Sequence, residues 1–128
     1  MMDRRFFLAL LGATALAGSS ARAFTIQPYD KGSAQAAIAA GGPVVVHVYA
    51  SWCLQCHMQE SILDKLKNDP AYKGIAFYRV DYDGQKEAVK ALNSPRSTLI
   101  AYRGGKEVAR MSWGVGQEDV TGVLKAAL

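Results

Sequence analysis

The sequence predicts an α/β fold: a central mixed sheet of four to five strands with helices on both faces. Three observations carry this. Strand-like runs alternate with segments of helical periodicity through most of the 128 residues, the pattern of strand–helix–strand units with parallel pairing. The run Val44-Val45-Val46-His47-Val48-Tyr49-Ala50 is apolar at every position but one, as a strand covered on both faces must be. Near the end, two strand-like runs meet at Gly104-Gly105, a hairpin that adds an antiparallel edge.

The elements follow in order. Arg4-Arg5 precede an apolar stretch from Phe6 to about Ala17, and Ala21-Arg22-Ala23 forms an A-x-A cleavage pattern. Residues 1–23 therefore read as a signal peptide, of twin-arginine type from its paired arginines and Phe7-Leu8, and too short to span a membrane. No stable membrane insertion is expected after cleavage. Residues 24–128 remain as one domain. Phe24-Thr25-Ile26 reads as a short edge strand. Ser33 to Ala40 is an alanine-rich helix that Gly41-Gly42-Pro43 stops. After the buried strand at 44–50, Cys53 to about Asn68 repeats Leu54, Met58, Ile62, Leu63 and Leu66 at helical spacing, with those residues facing inward. Ile75 to Val80 is the next strand. Asp83 is placed to cap a short helix with Ala88, Val89 and Leu92 inward. Thr98 to Tyr102 and Glu107 to Trp113 are the hairpin strands. Glu118 to Leu128 closes the chain as a helix with Val120, Val123, Leu124 and Leu128 inward.

Composition narrows the chemistry. The net charge is +4, and half of it lies in the signal segment through Arg4, Arg5 and Arg22 against Asp3. What remains has no basic run or basic–aromatic interleaving, so nucleic acid is not an expected partner. The chain has two cysteines, Cys53 and Cys56. In an exported chain such a pair usually forms a structural disulfide, but so short a loop constrains little of the unfolded chain. The pair also opens a helix, where unpaired N–H groups and the positive dipole end favour thiolate on the first sulfur. Chemistry is the better reading.

With Trp52-Cys53-Leu54-Gln55-Cys56 after a buried strand, Asp81 at a strand end, Thr98-Leu99 opening a strand, Gly104-Gly105 turning it and Gly114 after the last, the chain resembles the thioredoxin family over residues 24–128. The resemblance implies a thioredoxin fold and a monomeric thiol–disulfide oxidoreductase without cofactor. It casts Cys53 as the attacking thiol and Cys56 as the resolving one. With the signal peptide, it points to the bacterial periplasm. Partners would be exported cysteine-containing proteins and a membrane or periplasmic redox partner. Trp52 is expected beside the disulfide, shaping the docking surface.

Four features depart from the family pattern. The cis-proline before the Thr of the third strand is Ser97, next to Thr98. The buried acid six residues before the first cysteine is His47. The middle dipeptide is Leu54-Gln55, and the helix-kinking proline is Ser61. The Arg96–Ser97 bond is expected to be trans, since a cis bond without proline costs about 2.5–4 kcal/mol. The altered shelf should narrow general reductase activity, and Ser97→Pro should restore it. His47 has two readings: a neutral, hydrogen-bonded strand histidine, or the proton acceptor for Cys56. His57 is expected at the surface, where its spacing of four from Cys53 lets a cationic form favour the thiolate. Trp113 reads as core or groove lining, and Met58 and Met111 as apolar filling.

Two other classes compete. The cysteine pair with His57 or His47 can hold a metal, as in a metallochaperone. Cys53-Leu54-Gln55-Cys56-His57 also fits the C-x-x-C-H attachment pattern of c-type haem, although a β-run enters it and the chain is not mainly helical.

Overall fold

The computed structural model describes residues 22–128. The twin arginines and the apolar stretch of the expected signal peptide lie outside the described residues. The elements are β1 (Ile26–Pro28), α1 (Lys31–Ala39), β2 (Val44–Tyr49), α2 (Leu54–Leu66), a 3-10 turn (Pro70–Tyr72), β3 (Ala76–Asp81), α3 (Lys86–Leu92), β4 (Thr98–Arg103), β5 (Lys106–Ser112) and α4 (Gln117–Ala127). The five strands form one mixed sheet in the order β1-β3-β2-β4-β5, and the expected element order holds.

β2 is central because it is the strand that must be dry on both faces. All of Val44 to Val48 is buried. On one face Val45 joins Phe77, Leu99, Leu63 of α2 and Val120 and Leu124 of α4. On the other, Val44, Val46 and Val48 pack with Ala34 of α1, Tyr78, Val80 and Ile100, bordered by Val89 and Leu92 of α3. β3 pairs with β1 and β2 in parallel, whereas β4 runs antiparallel to β2. Antiparallel pairing therefore starts one strand earlier than the hairpin. The reason is length: seven residues of α3 rise about 10 Å against about 20 Å for a six-residue strand, so the chain re-enters the sheet at the end where β3 left it. That return places Thr98 opposite Val48, at the end of β2 that leads to the cysteines.

Several local expectations shift. The first strand is Ile26–Pro28; Phe24 instead enters the core and stacks on Phe77 with ring centroids 5.0 Å apart. Ordered packing already includes Ala23, whose N–H donates to Lys67 O at 2.8 Å and whose carbonyl accepts from Gly74 at 3.1 Å. In α2 the buried residues are Cys56, Gln59, Leu63 and Leu66. Leu54 and Met58, expected inward, are 69% and 42% exposed, because at about 100° per residue they fall on the side of the helix away from Cys56, Gln59, Leu63 and Leu66. Gln85, not Asp83, takes the N-cap position of α3. Leu128 lies beyond α4 and is exposed.

Candidate active site

β2 ends at Tyr49, and after Ala50-Ser51-Trp52 the chain turns into α2 through Cys53. This cysteine is the N-cap of the helix: its backbone is extended (φ −94°, ψ 116°) and its Sγ accepts the Cys56 N–H at 3.3 Å. A sulfur in a role that Ser or Asp usually fills is held where negative charge is stabilised. Both thiols are free and buried, and they pack against Ala50 with Tyr49 and Tyr82 beside them. Burial works against ionisation of Cys53. It is outweighed by the Cys56 thiol and N–H and by the Arg96 guanidinium, so Cys53 ionises below the usual thiol range. Cys56 is pushed the other way, chiefly by burial and then by Cys53 itself.

The loop before β4 supplies the other wall. Among the described residues there is no cis peptide bond, so Arg96–Ser97 is trans. Ser97 is fully buried with φ at +60°, in the left-handed region. Its N–H donates to Val48 O at 2.8 Å, and its carbonyl accepts from Trp113 N–H at 2.7 Å. Its hydroxyl has no nitrogen or oxygen partner and bears on Cys56, where it acts to favour the thiolate. Thr98 is buried and pins the loop, with Oγ1 donating to Pro95 O at 3.0 Å and 2.8 Å from Ser112 Oγ.

Beneath the cysteines lies a residue that sequence reasoning passed over. Gln59 is fully buried. Its Oε1 faces His47 Nε2 at 2.9 Å, and its Nε2 donates to Ser97 O at 3.1 Å and Gly114 O at 2.8 Å. His47 thus donates from Nε2, leaving Nδ1 as an unpartnered buried acceptor. Burial holds its pKa down to about 3, with the Gln59 bond opposing that and Arg79 adding to it. It is neutral at physiological pH. Gly114 must be glycine, because a Cβ there would come within 2.6 Å of Met111 Sδ and 2.7 Å of Asp119.

Of the remaining predicted residues, Trp52 is 58% exposed and donates its indole N–H to Asp83 Oδ2 at 2.7 Å. That bond occupies the aspartate otherwise expected as a cap. His57 is exposed; its ring nitrogens meet Tyr49 OH and Ser51 O, and Glu60 lies 3.7 Å away. The cation acting on Cys53 is Arg96. Its guanidinium lies 4.5 Å from the Trp52 ring centroid and 4.8 Å from that of Trp113. Among the described residues no three His, Cys, Asp or Glu side chains converge as a metal site.

The thioredoxin family model matches residues 26–126. The chain belongs to the thioredoxin family. Members of this family are protein-disulfide oxidoreductases. Thioredoxin-2 of Saccharomyces cerevisiae is 42% identical over 69 residues, which are 53% of this chain and 64% of that protein. The matched stretch is thus under two thirds of the relative's length. Thiol:disulfide interchange protein DsbE of Pseudomonas fluorescens biotype C is 38% identical over 41% of this chain and 28% of its own. The crystal structure of Trxlp from Edwardsiella tarda superposes with a TM-score of 0.74 at 37% identity, covering 78% of this chain and 98% of that one.

Two predictions follow from the buried layer. Unfolding exposes His47 at its ordinary pKa of 6.5, while the folded protein holds it at about 3. The unfolded state therefore binds the extra proton first, and stability falls as pH drops from about 6.5 toward 3. The contribution lost at pH 5 is about 2 kcal/mol. Denaturant melts at pH 7 and pH 5 should show that difference, reduced in His47→Gln; equal differences in both proteins would remove His47 as the cause.

The left-handed φ and the Ser97 N–H bond also reverse the expectation for Ser97→Pro. Proline cannot reach +60° and has no N–H, so this change should lower stability by about 3 kcal/mol or more and restore no activity. Ser97→Gly should raise stability by about 1 kcal/mol by relieving the left-handed strain. Thermal melts of the two variants decide it, and a stabilised Ser97→Pro would show the assignment of this loop to be wrong.

Proposed function

We propose that this chain is an exported protein-disulfide oxidoreductase that works through Cys53 and Cys56. The observation that carries the reading is the opposed electrostatics of the pair: Cys53 caps the helix and is favoured as thiolate, while Cys56, fully buried one turn on, is held as thiol. In the reducing direction, the Cys53 thiolate attacks a partner disulfide. A Cys53–partner disulfide forms and the partner's other sulfur leaves as thiolate. Cys56 then loses its proton and attacks the Cys53 sulfur, closing the Cys53–Cys56 disulfide and releasing the second partner thiol. The oxidising direction is the same path reversed.

The signal-peptide pattern of residues 1–23 supports export to the periplasm, with exported cysteine-containing proteins as substrates and a membrane or periplasmic protein as redox partner. The similarity to proteins named for thiol:disulfide interchange supports the exchange itself. The left-handed Ser97 loop, standing where the family carries a proline, supports a narrower substrate range than that of a general reductant.

The test is covalent trapping. Cys56→Ser should accumulate mixed disulfides with partner proteins in the periplasmic fraction, and Cys53→Ser should not. In the same cells, replacing Arg4 and Arg5 with Lys should abolish periplasmic adducts if export uses the twin-arginine route. Adducts on Cys53→Ser instead would reverse the roles of the cysteines. Periplasmic adducts surviving the Lys pair would remove the twin-arginine assignment alone.

A further inference from the structure

Arg96 stands immediately before Ser97, beside the sulfur that reacts. Its guanidinium is held between two indoles, 4.5 Å from Trp52 and 4.8 Å from Trp113. Both rings are at the surface, 58% and 39% exposed. The clamp is built at a cost: Trp113 has φ at +72°, a conformation that bulky residues rarely adopt. Its backbone N–H is fastened to Ser97 O at 2.7 Å.

The charge acts on the Cys53 sulfur, yet no carboxylate among the described residues pairs with it. Arg79 pairs with Glu60 and Arg110 with Glu107, but Arg96 takes part in none of the ion pairs among the described residues. Its Nε is buried without a partner. Asp83, the carboxylate that meets the Trp52 side of the clamp, is engaged by the indole N–H. A guanidinium stacked on aromatic faces keeps its in-plane edge open; one donor bears on the Cys53 sulfur, and the rest of the edge matches a carboxylate.

On the oxidoreductase reading above, we infer that Arg96 is a specificity-determining residue that selects partners carrying an Asp or Glu within a few residues of the reacting cysteine. The partner lies across the exposed Trp52–Trp113 rim with its sulfur over Cys53. Its carboxylate then pairs with Arg96, which no carboxylate among the described residues engages. A basic residue at the same place meets Arg96 with like charge and is disfavoured.

The test uses the reduced protein and three synthetic peptides, identical except for Glu, Gln or Lys two residues from a single cysteine. Each cysteine is activated as a mixed disulfide with thiopyridine, an uncharged leaving group. Attack by Cys53 on the peptide sulfur breaks that disulfide and releases thiopyridone, which is followed by absorbance. Cys56 then displaces the peptide thiol as the Cys53–Cys56 disulfide forms, so the two electrons come from the protein's own dithiol. Rates are divided by those for dithiothreitol, which removes differences intrinsic to the peptides.

The normalised rates should fall in the order Glu, Gln, Lys, with Glu about tenfold over Lys at low salt, from about threefold of attraction and threefold of repulsion. High salt should compress the ratio in the unaltered protein. Arg96→Met should reduce it to under about twofold, and Arg96→Lys, which keeps charge without the planar fork, should fall between. The same Glu-to-Lys ratio in Arg96→Met as in the unaltered protein, or a ratio indifferent to salt, would overturn the inference and leave the oxidoreductase reading standing. Failure of all three peptides to release thiopyridone would overturn both.

Discussion

The Gln59 carboxamide joins three parts of the molecule that the chain keeps far apart. It faces His47 of β2 with its oxygen and gives both amide hydrogens to carbonyls, one before β4 at Ser97 and one after β5 at Gly114. Gln59, His47 and Ser97 have no exposed surface, and Gly114 is partly buried. A buried carboxamide with every donor and acceptor used specifies one arrangement, because any shift leaves groups unpaired at about 1–3 kcal/mol each. The helix that carries the cysteines and the loops that wall them are thus locked to each other from below.

That lock explains how two left-handed residues persist side by side. Ser97 and Trp113 each lie in a conformation that L-residues avoid, and their backbones are tied at 2.7 Å. Gln59 holds the carbonyl of the first and that of the residue after the second. The strain sets Arg96 beside Cys53 and between the indoles. The family's buried acid and its proline are both absent from this chain, and the two changes meet at one amide: His47 binds Gln59, and Gln59 holds the Ser97 loop. The result is a neutral layer beneath Cys56, with the charge that favours the Cys53 thiolate arriving from above, on Arg96.

Much of this architecture was legible in the sequence. Element order, the central strand and the cysteine pair at a helix start follow from apolar runs and the spacing of Cys53 and Cys56, which are local signals. What escaped were long-range facts. Leu54 and Met58 keep a spacing of four with each other, yet they lie on the side of the helix away from the buried Cys56, Gln59, Leu63 and Leu66. Gln59 reads as one more polar residue on an amphipathic helix; only the spacing of three from Cys56 hints that it shares the buried face. Arg96 looks like an ordinary loop charge until the fold brings Trp52 and Trp113, far apart in sequence, to either side of it. The reversal of the Ser97→Pro expectation has the same origin, since a trans bond could be anticipated but a positive φ could not.

The central claim is that the buried amide layer sets the reactivity of Cys53 through the loop bearing Arg96. Its most direct test is the pH dependence of Cys53 alkylation in Gln59→Met, which preserves volume and removes the three hydrogen bonds. The account predicts that the Cys53 pKa, low in the unaltered protein, rises toward the ordinary thiol range as the Ser97 loop and Arg96 lose their anchor. A folded Gln59→Met protein whose Cys53 titrates as before would contradict it.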